Sequence, residues 1–153
     1  GAIFFINSEG KISNSEFSYN NSNFGGGICT KAKCNLSLYN IKILNNYTEG
    51  GSGGGIYAEG DLTIDGENSN ISNNEAGTYG GGIMVKTNSI INNCIICNNK
   101  ALKDCGGGIR VEGQLTLNNG KIYKNWCNER GGGIYYEKAD RPGDHRAGKS
   151  ESL

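Results

Sequence analysis

The tetrapeptide Gly-Gly-Gly-Ile occurs five times in this chain of 153 residues. The spacings between successive isoleucines are 28, 27, 26 and 25 residues, and these isoleucines are Ile28, Ile56, Ile83, Ile109 and Ile134. A repeat of this length is typical of solenoids and propellers. A unit this short cannot bury its own apolar face, so successive units must stack. The repeat therefore constrains the fold more than any other feature.

A second motif has the same period and consists of a large apolar residue followed three positions later by Asn. Its five copies are Phe17/Asn20, Ile43/Asn46, Ile71/Asn74, Ile96/Asn99 and Ile122/Asn125. Another Asn stands three residues before each apolar residue, at Asn14, Asn40, Asn68, Asn93 and Asn119. Asn tolerates turn conformations, and its amide can pair with an equivalent Asn in the next unit. The pattern predicts two internal asparagine ladders.

Short alternating segments such as Leu36-Ser37-Leu38 lie between the motifs and indicate strands with one buried face. The 26 glycines disfavour helices. We expect about three strands per repeat and an all-β fold, a right-handed parallel β-helix of about five coils over residues 1–137. The hand follows from the rule for parallel crossovers. A leucine-rich-repeat horseshoe has a similar period but one Asn position per unit, so it fits less well.

Composition limits the function classes. The 15 Lys and Arg balance 15 Asp and Glu, which argues against binding to nucleic acid or to an anionic membrane. No apolar run reaches the ~18–20 residues of a membrane span. Residues 138–153 lack the repeat and predict a flexible charged tail. Segment 143–150 matches the spacing of a phosphate-binding loop, but it lacks the flanking strand and helix, so nucleotide binding is not predicted.

Candidate catalytic groups are few. The single histidine, His145, lies in the tail, so no histidine-based triad or metal site is predicted in the repeats. Four carboxylates fall in one repeat, as a polysaccharide lyase or glycoside hydrolase would require, but the adjacent repeats supply no partners; they are Glu59, Asp61, Asp65 and Glu67. We predict no catalytic residue, metal or cofactor. The residues three positions after each repeat isoleucine mostly alternate in sign and predict an exposed charge ladder: Lys31, Glu59, Lys86, Glu112 and Glu137.

One outward-facing column is rich in aromatic residues. It comprises Phe4 and the residue after each repeat isoleucine, namely Cys29, Tyr57, Met84, Arg110 and Tyr135. An exposed column of this composition is typical of an interaction surface, although stacking alone would also explain it. We predict that Tyr57, Met84, Arg110 and Tyr135 contribute to binding.

The six cysteines do not have a repeated metal-ligand spacing. Cys94 and Cys97 are three apart, and such residues face opposite sides of a strand, which disfavours zinc and redox use. Cys94 is expected in the core. If the protein is exported, one or two disulfides are expected among Cys29, Cys34, Cys105 and Cys127, with the connectivity open.

The paired motifs resemble the repeats of the chlamydial polymorphic outer-membrane protein family, which carry Gly-Gly-Ala-(Ile/Leu/Val) and Phe-x-x-Asn. Gly1-Ala2-Ile3 and Phe17-Ser18-Tyr19-Asn20 match these motifs, and the resemblance covers residues 1–137. Elsewhere Gly replaces the Ala, and Ile replaces the Phe. The resemblance implies a secreted β-helical passenger at the cell surface, the outer membrane in a Gram-negative parent, often an autotransporter or adhesin without catalysis.

From the repeats and this resemblance we expect a piece of a longer solenoid, with further coils at its ends. The expected partner is a host-surface protein or a glycan. The alternative is the scaffold portion of a polysaccharide lyase or glycoside hydrolase.

Overall fold

The computed structural model describes residues 1–138 and the backbone of Glu151–Ser152. Most of the predicted tail, including the segment 143–150, lies outside the described residues. No helix long and apolar enough to cross a membrane occurs in the described part of the chain.

The chain winds through five coils, each with four short strands, rather than the three expected. The first coil contains β1 (Ile3–Ile6), β2 (Glu9–Ser13), β3 (Glu16–Ser18) and β4 (Asn21–Ser22). The second contains β5 (Ile28–Lys31), β6 (Asn35–Tyr39), β7 (Lys42–Leu44) and β8 (Tyr47–Thr48). The third contains β9 (Ile56–Ala58), β10 (Leu62–Asp65), β11 (Ser69–Ser72) and β12 (Glu75–Ala76).

The fourth coil contains β13 (Ile83–Val85), β14 (Ser89–Asn92), β15 (Cys94–Cys97) and β16 (Lys100–Ala101). The fifth contains β17 (Ile109–Val111), β18 (Leu115–Asn118), β19 (Lys121–Tyr123) and β20 (Trp126–Cys127). β21 (Ile134–Tyr136) follows, and β22 (Glu151–Ser152) pairs with it antiparallel.

Equivalent strands of successive coils pair in parallel and build four sheets. Sheet 1 has the order β1-β5-β9-β13-β17-β21-β22, and sheets 2, 3 and 4 contain the second, third and fourth strands of each coil. The register pairs equivalent residues of successive coils: Ile28 pairs with Ile56, and Ile83 with Ile109. The prediction of a parallel β-solenoid of about five turns is confirmed. Its right hand stays a prediction from the crossover rule.

The core is the interior of the coil. The repeat isoleucines Ile28, Ile56, Ile83 and Ile109 have no exposed surface, and full burial of each contributes about 1.5–3 kcal/mol. Inward residues of sheets 2 and 3, such as Leu38, complete one continuous cluster. Cys94 belongs to it, as the sequence predicts.

The asparagine of the second motif forms an internal ladder. Nδ2 of Asn74 donates to Oδ1 of Asn99 at 3.0 Å and to the carbonyl oxygen of Ile43 at 2.9 Å. Oδ1 of Asn74 accepts from the backbone N–H and the side-chain amide of Asn46. The bond from Nδ2 to Oδ1 links neighbouring coils from Asn20 to Asn125. We call this set the ladder asparagines: Asn20, Asn46, Asn74, Asn99 and Asn125. This predicted ladder is confirmed.

The prediction of a second internal ladder is wrong, although Nδ2 of Asn40 donates to Oδ1 of Asn14 at 3.3 Å at an exposed site. Asn14, Asn93 and Asn119 lie at the turn between sheets 2 and 3, exposed or half-buried, with positive φ of 49°, 53° and 50°. Coil 3 has two more residues at this turn, so Gly66, with φ of 101°, occupies the position and Asn68 is displaced. Asparagines at the turn between sheets 3 and 4 also have a left-handed backbone conformation, with positive φ. We call these residues the turn asparagines: Asn14, Asn40, Asn93 and Asn119, and, between sheets 3 and 4, Asn45, Asn73 and Asn98.

The third glycine of each triplet makes room for the ladder. A Cβ on Gly82 would lie 2.7 Å from the carbonyl oxygen of Gly108 and 3.0 Å from Cγ of Asn99. Gly108 has the same relation to Asn125. The two repeated motifs are thus parts of one packing arrangement.

Candidate functional site

The outward column of sheet 1 is covered, which corrects the expectation of an exposed column. Phe4 is 60% exposed, but Tyr57, Met84, Arg110 and Tyr135 are 5%, 2%, 7% and 4% exposed. Whether these four residues bind a partner stays a prediction. Arg110 and Tyr135 border a cavity.

This column is covered from the position directly before the glycine triplets, by Phe24 and by Tyr79. We call the residues at this position in successive coils the covering residues: Phe24, Ser52, Tyr79, Cys105 and Arg130. The ring of Phe24 lies 5.0 Å from that of Tyr57, and the ring of Tyr79 lies 4.1 Å from Cζ of Arg110. Phe24 and Tyr79 thus pack over the column, and Tyr79 also packs against the buried cluster of Cys29, Tyr57 and Met84.

The predicted charge ladder beside this column forms in pairs. Nζ of Lys31 lies 3.0 Å from the carboxylate of Glu59, and Nζ of Lys86 lies 3.5 Å from that of Glu112. Glu137 has a different partner, since its carboxylate accepts from the guanidinium of Arg110 at 2.7 Å.

Arg110 is the charged residue of the column, and its guanidinium contacts both aromatic rings and carboxylates. Its Cζ lies 4.1 Å from the ring centre of Tyr79 and 5.0 Å from that of Tyr135. Its guanidinium contacts Glu137 and, at 3.6 Å, Glu112. Its Nε–H is buried without a hydrogen-bond partner among the described residues. A buried unpaired donor is costly, which distinguishes this position from the rest of the column.

A cavity of about 230 Å³ lies at this end of the column. Cys105 stands here in the covering position that aromatic Phe24 and Tyr79 occupy in other coils, and its smaller side chain leaves space over Tyr135. The cavity is lined by Tyr79, Asp104, Cys105, Arg110, Glu129, Arg130, Tyr135 and Glu137.

Three potential metal ligands face one another in this cavity. One ligand atom from each of Asp104, Cys105 and Glu129 lies within 4.8 Å of the others. The thiol of Cys105 donates to Oδ1 of Asp104 at 3.0 Å. Burial, together with that carboxylate, raises the pKa of Cys105 to about 12, so the thiol is protonated at neutral pH. The sequence did not reveal this group, because its members come from loops of two coils that differ in length.

The four carboxylates considered for catalysis are distributed around coil 3. Glu59 accepts from the backbone N–H of Ala32, and Asp61 from that of Asn88. Burial raises the pKa of Glu59, but the Ala32 N–H and Lys31 outweigh it and hold the pKa below its ordinary value. Glu67 is exposed.

Asp65 has the same kind of structural environment. The side-chain amide of Asn93 and the N–H of Gly66 donate to it at 2.9 and 2.6 Å. These bonds hold the pKa of Asp65 below its ordinary value. The carboxylates of Glu59, Asp61 and Asp65 therefore bind turns or the neighbouring coil.

All six cysteines are free thiols, so the expected disulfides are not formed in this structure. Cys34 donates to the carbonyl oxygen of Lys31 at 3.0 Å, and Cys127 donates to that of Arg130 at 2.9 Å. These thiols hydrogen-bond within their own turns.

Comparison of the chain with family models, with curated proteins and with solved structures finds no match. The structure supports a repeat protein of the β-solenoid type, and the finer assignment to the polymorphic outer-membrane repeats stays a proposal.

Proposed function

We propose that this protein is a non-enzymatic β-helix of the cell surface or the extracellular space, acting as a stalk or an adhesin passenger. One observation carries the proposal: four parallel sheets stack in register through all five coils without interruption. Each coil is bonded to the next by backbone ladders and by the ladder asparagines. A rod built in this way is stiff along its axis, which suits a display scaffold.

The placement of the acidic residues supports a non-catalytic role. Glu59, Asp61 and Asp65 accept hydrogen bonds from backbone amides of turns. Lowered pKa values keep Glu59 and Asp65 ionised at neutral pH, whereas a general acid needs a raised pKa. The resemblance of the motifs to chlamydial polymorphic outer-membrane repeats supports a surface location.

Recognition in this proposal uses the edge where the covering residues lie. The loops before the glycine triplets vary in length and sequence, and variable loops on a rigid scaffold commonly carry binding. The expected partner is a host-surface protein or a glycan.

The location is tested by labelling intact cells of the source organism with an antibody against this chain. We expect the same labelling before and after permeabilisation. Labelling that appears only after permeabilisation would contradict the proposal.

The absence of catalysis is tested separately with polygalacturonate, alginate and hyaluronan. We expect no unsaturated sugar product, detected by near-ultraviolet absorbance, from the wild-type chain. Product release that disappears when Glu59, Asp61, Asp65 and Glu67 are all changed to their amides would establish the alternative, a polysaccharide-degrading enzyme.

A further inference from the structure

The cavity at the β21 end of the column, beside Arg110 and Tyr135, is a local departure from the repeat. Aromatic covering residues pack over Tyr57 and Arg110, but Cys105 leaves about 230 Å³ open beside Tyr135. The exposed side chains of Glu129 and Arg130 also line the cavity, which places it at the surface. We propose that this cavity is a binding subsite for one sugar unit of a neutral glycan, an inference that rests on the proposed function as a surface binding protein.

The charges of the lining favour a neutral ligand. Two guanidinium groups, those of Arg110 and Arg130, share the cavity with the carboxylates of Asp104, Glu129 and Glu137. An anionic ligand would meet three carboxylates, and a cationic ligand would meet two guanidinium groups. A hydroxyl group both donates and accepts hydrogen bonds, so a polyhydroxylated neutral ring can use both kinds of partner.

The size and the aromatic lining fit a single ring. A volume of about 230 Å³ is below the roughly 300–1,000 Å³ of pockets for drug-sized molecules. Tyr79 and Tyr135 combine an apolar ring with a polar hydroxyl, which suits the mixed faces of a sugar. Nε of Arg110 has no acceptor among the described residues, and a ligand hydroxyl would supply one.

The experiment uses saturation-transfer NMR on the wild-type chain with glucose, galactose, mannose and N-acetylglucosamine. Glucuronic acid and glucosamine serve as the charged probes. We expect at least one neutral sugar to bind, and to bind more tightly than either charged sugar. The proposal would be overturned if none of the six sugars bound, or if a charged sugar bound more tightly than every neutral one.

Cys105→Phe fills the cavity with the side chain that already occupies the covering position at Phe24. We expect the affinity for the bound sugar to fall at least 10-fold. Thr116→Phe adds the same ring at an exposed position of sheet 2 and should leave the affinity unchanged. Wild-type affinity in Cys105→Phe would overturn the proposal.

Glu129→Gln tests the site without added bulk, because Glu129 is exposed and its change does not disturb packing. We expect a 3- to 10-fold weaker affinity, and an unchanged affinity would count against the subsite. Binding of Ca²⁺ or Zn²⁺, with no sugar bound, would identify a metal site and overturn the proposal. Surface labelling of intact cells is independent of sugar binding, so labelled cells without sugar binding would reject the subsite alone.

Discussion

The ladder asparagines and the turn asparagines occupy the same coils for different physical reasons. Asn74 is 1% exposed and uses its amide to bond the coils before and after it. Its neighbour Asn73 is exposed and has a φ of 56°. The first position requires a side chain with a donor and an acceptor. The second requires a residue that tolerates the left-handed conformation. The same residue type in a repeat can therefore carry unrelated requirements.

Glycine substitutions at Asn74 and Asn73 distinguish the two requirements, and the larger loss of stability is expected at Asn74. Asn74→Gly leaves the buried N–H of Asn46 and the carbonyl of Ile43 without partners. We expect a loss of about 2–4 kcal/mol in the free energy of unfolding, measured in urea. Asn73→Gly is the matched control and should change stability by less than about 0.5 kcal/mol, because glycine adopts positive φ freely. Equal losses in the two variants would show that the ladder is not held by its amides.

The glycine beside the ladder offers a second way to disrupt it. Gly82→Ala places a Cβ 2.7 Å from the carbonyl oxygen of Gly108 and 3.0 Å from Cγ of Asn99. We expect a loss of about 1–3 kcal/mol, measured by urea unfolding, because backbone and ladder must shift to relieve the overlap. Gly50→Ala is the control, since no atom lies within 4 Å of its added Cβ. A stability of Gly82→Ala equal to that of the control would contradict the tight packing.

Alanine tests the turn asparagines directly. Asn119 is exposed and has a φ of 50°. Asn119→Ala should lower the thermal midpoint by an amount equivalent to about 1 kcal/mol, the lower end of the cost of left-handed backbone for an L-residue. Asn119→Gly should retain the wild-type midpoint. If alanine and glycine behaved alike, conformation would not be the reason for asparagine at this turn.

A smaller effect is expected on the pKa of Asp65 and on stability in acid. The amide of Asn93, with the N–H of Gly66, holds the pKa of Asp65 below its ordinary value. A lowered pKa in the folded state stabilises the protein above the unfolded-state pKa, and this contribution disappears as the pH falls through the folded-state value. We expect Asn93→Gly to raise the pKa of Asp65, measured by NMR titration of its carboxyl carbon. An unchanged pKa would show that the Asn93 bond does not act on Asp65.

The sequence predicted the repeat, the parallel solenoid and the ladder because each leaves a local periodic pattern. The positions from Asn20 to Asn125 lie three residues after a core residue in every coil. Asn14, Asn40, Asn93 and Asn119 were predicted to be internal because spacing alone does not distinguish an amide requirement from a positive φ. The two-residue strands β4, β8, β12, β16 and β20 are too short to show alternation.

The candidate site was harder to predict. Alternation correctly placed Tyr57 and Arg110 on the outward face of sheet 1, but it does not show what covers that face. The cover comes from Phe24 and Tyr79, which lie in variable loops and pack over the next coil. Aromatic residues directly before glycine triplets were a signal of this packing. The cavity depends on their replacement by Cys105, and no periodic rule predicts such a departure.

The most direct test of the account is hydrogen exchange of the side-chain amides, followed by NMR. Nδ2 of Asn74 and of Asn99 each makes two bonds inside the coil, whereas Nδ2 of Asn40 makes one at 3.3 Å at an exposed site. We expect the Nδ2 protons of Asn74 and Asn99 to exchange as slowly as the backbone amide of Ile83 in the core of sheet 1. Exchange as fast as that of Asn40 would contradict the ladder.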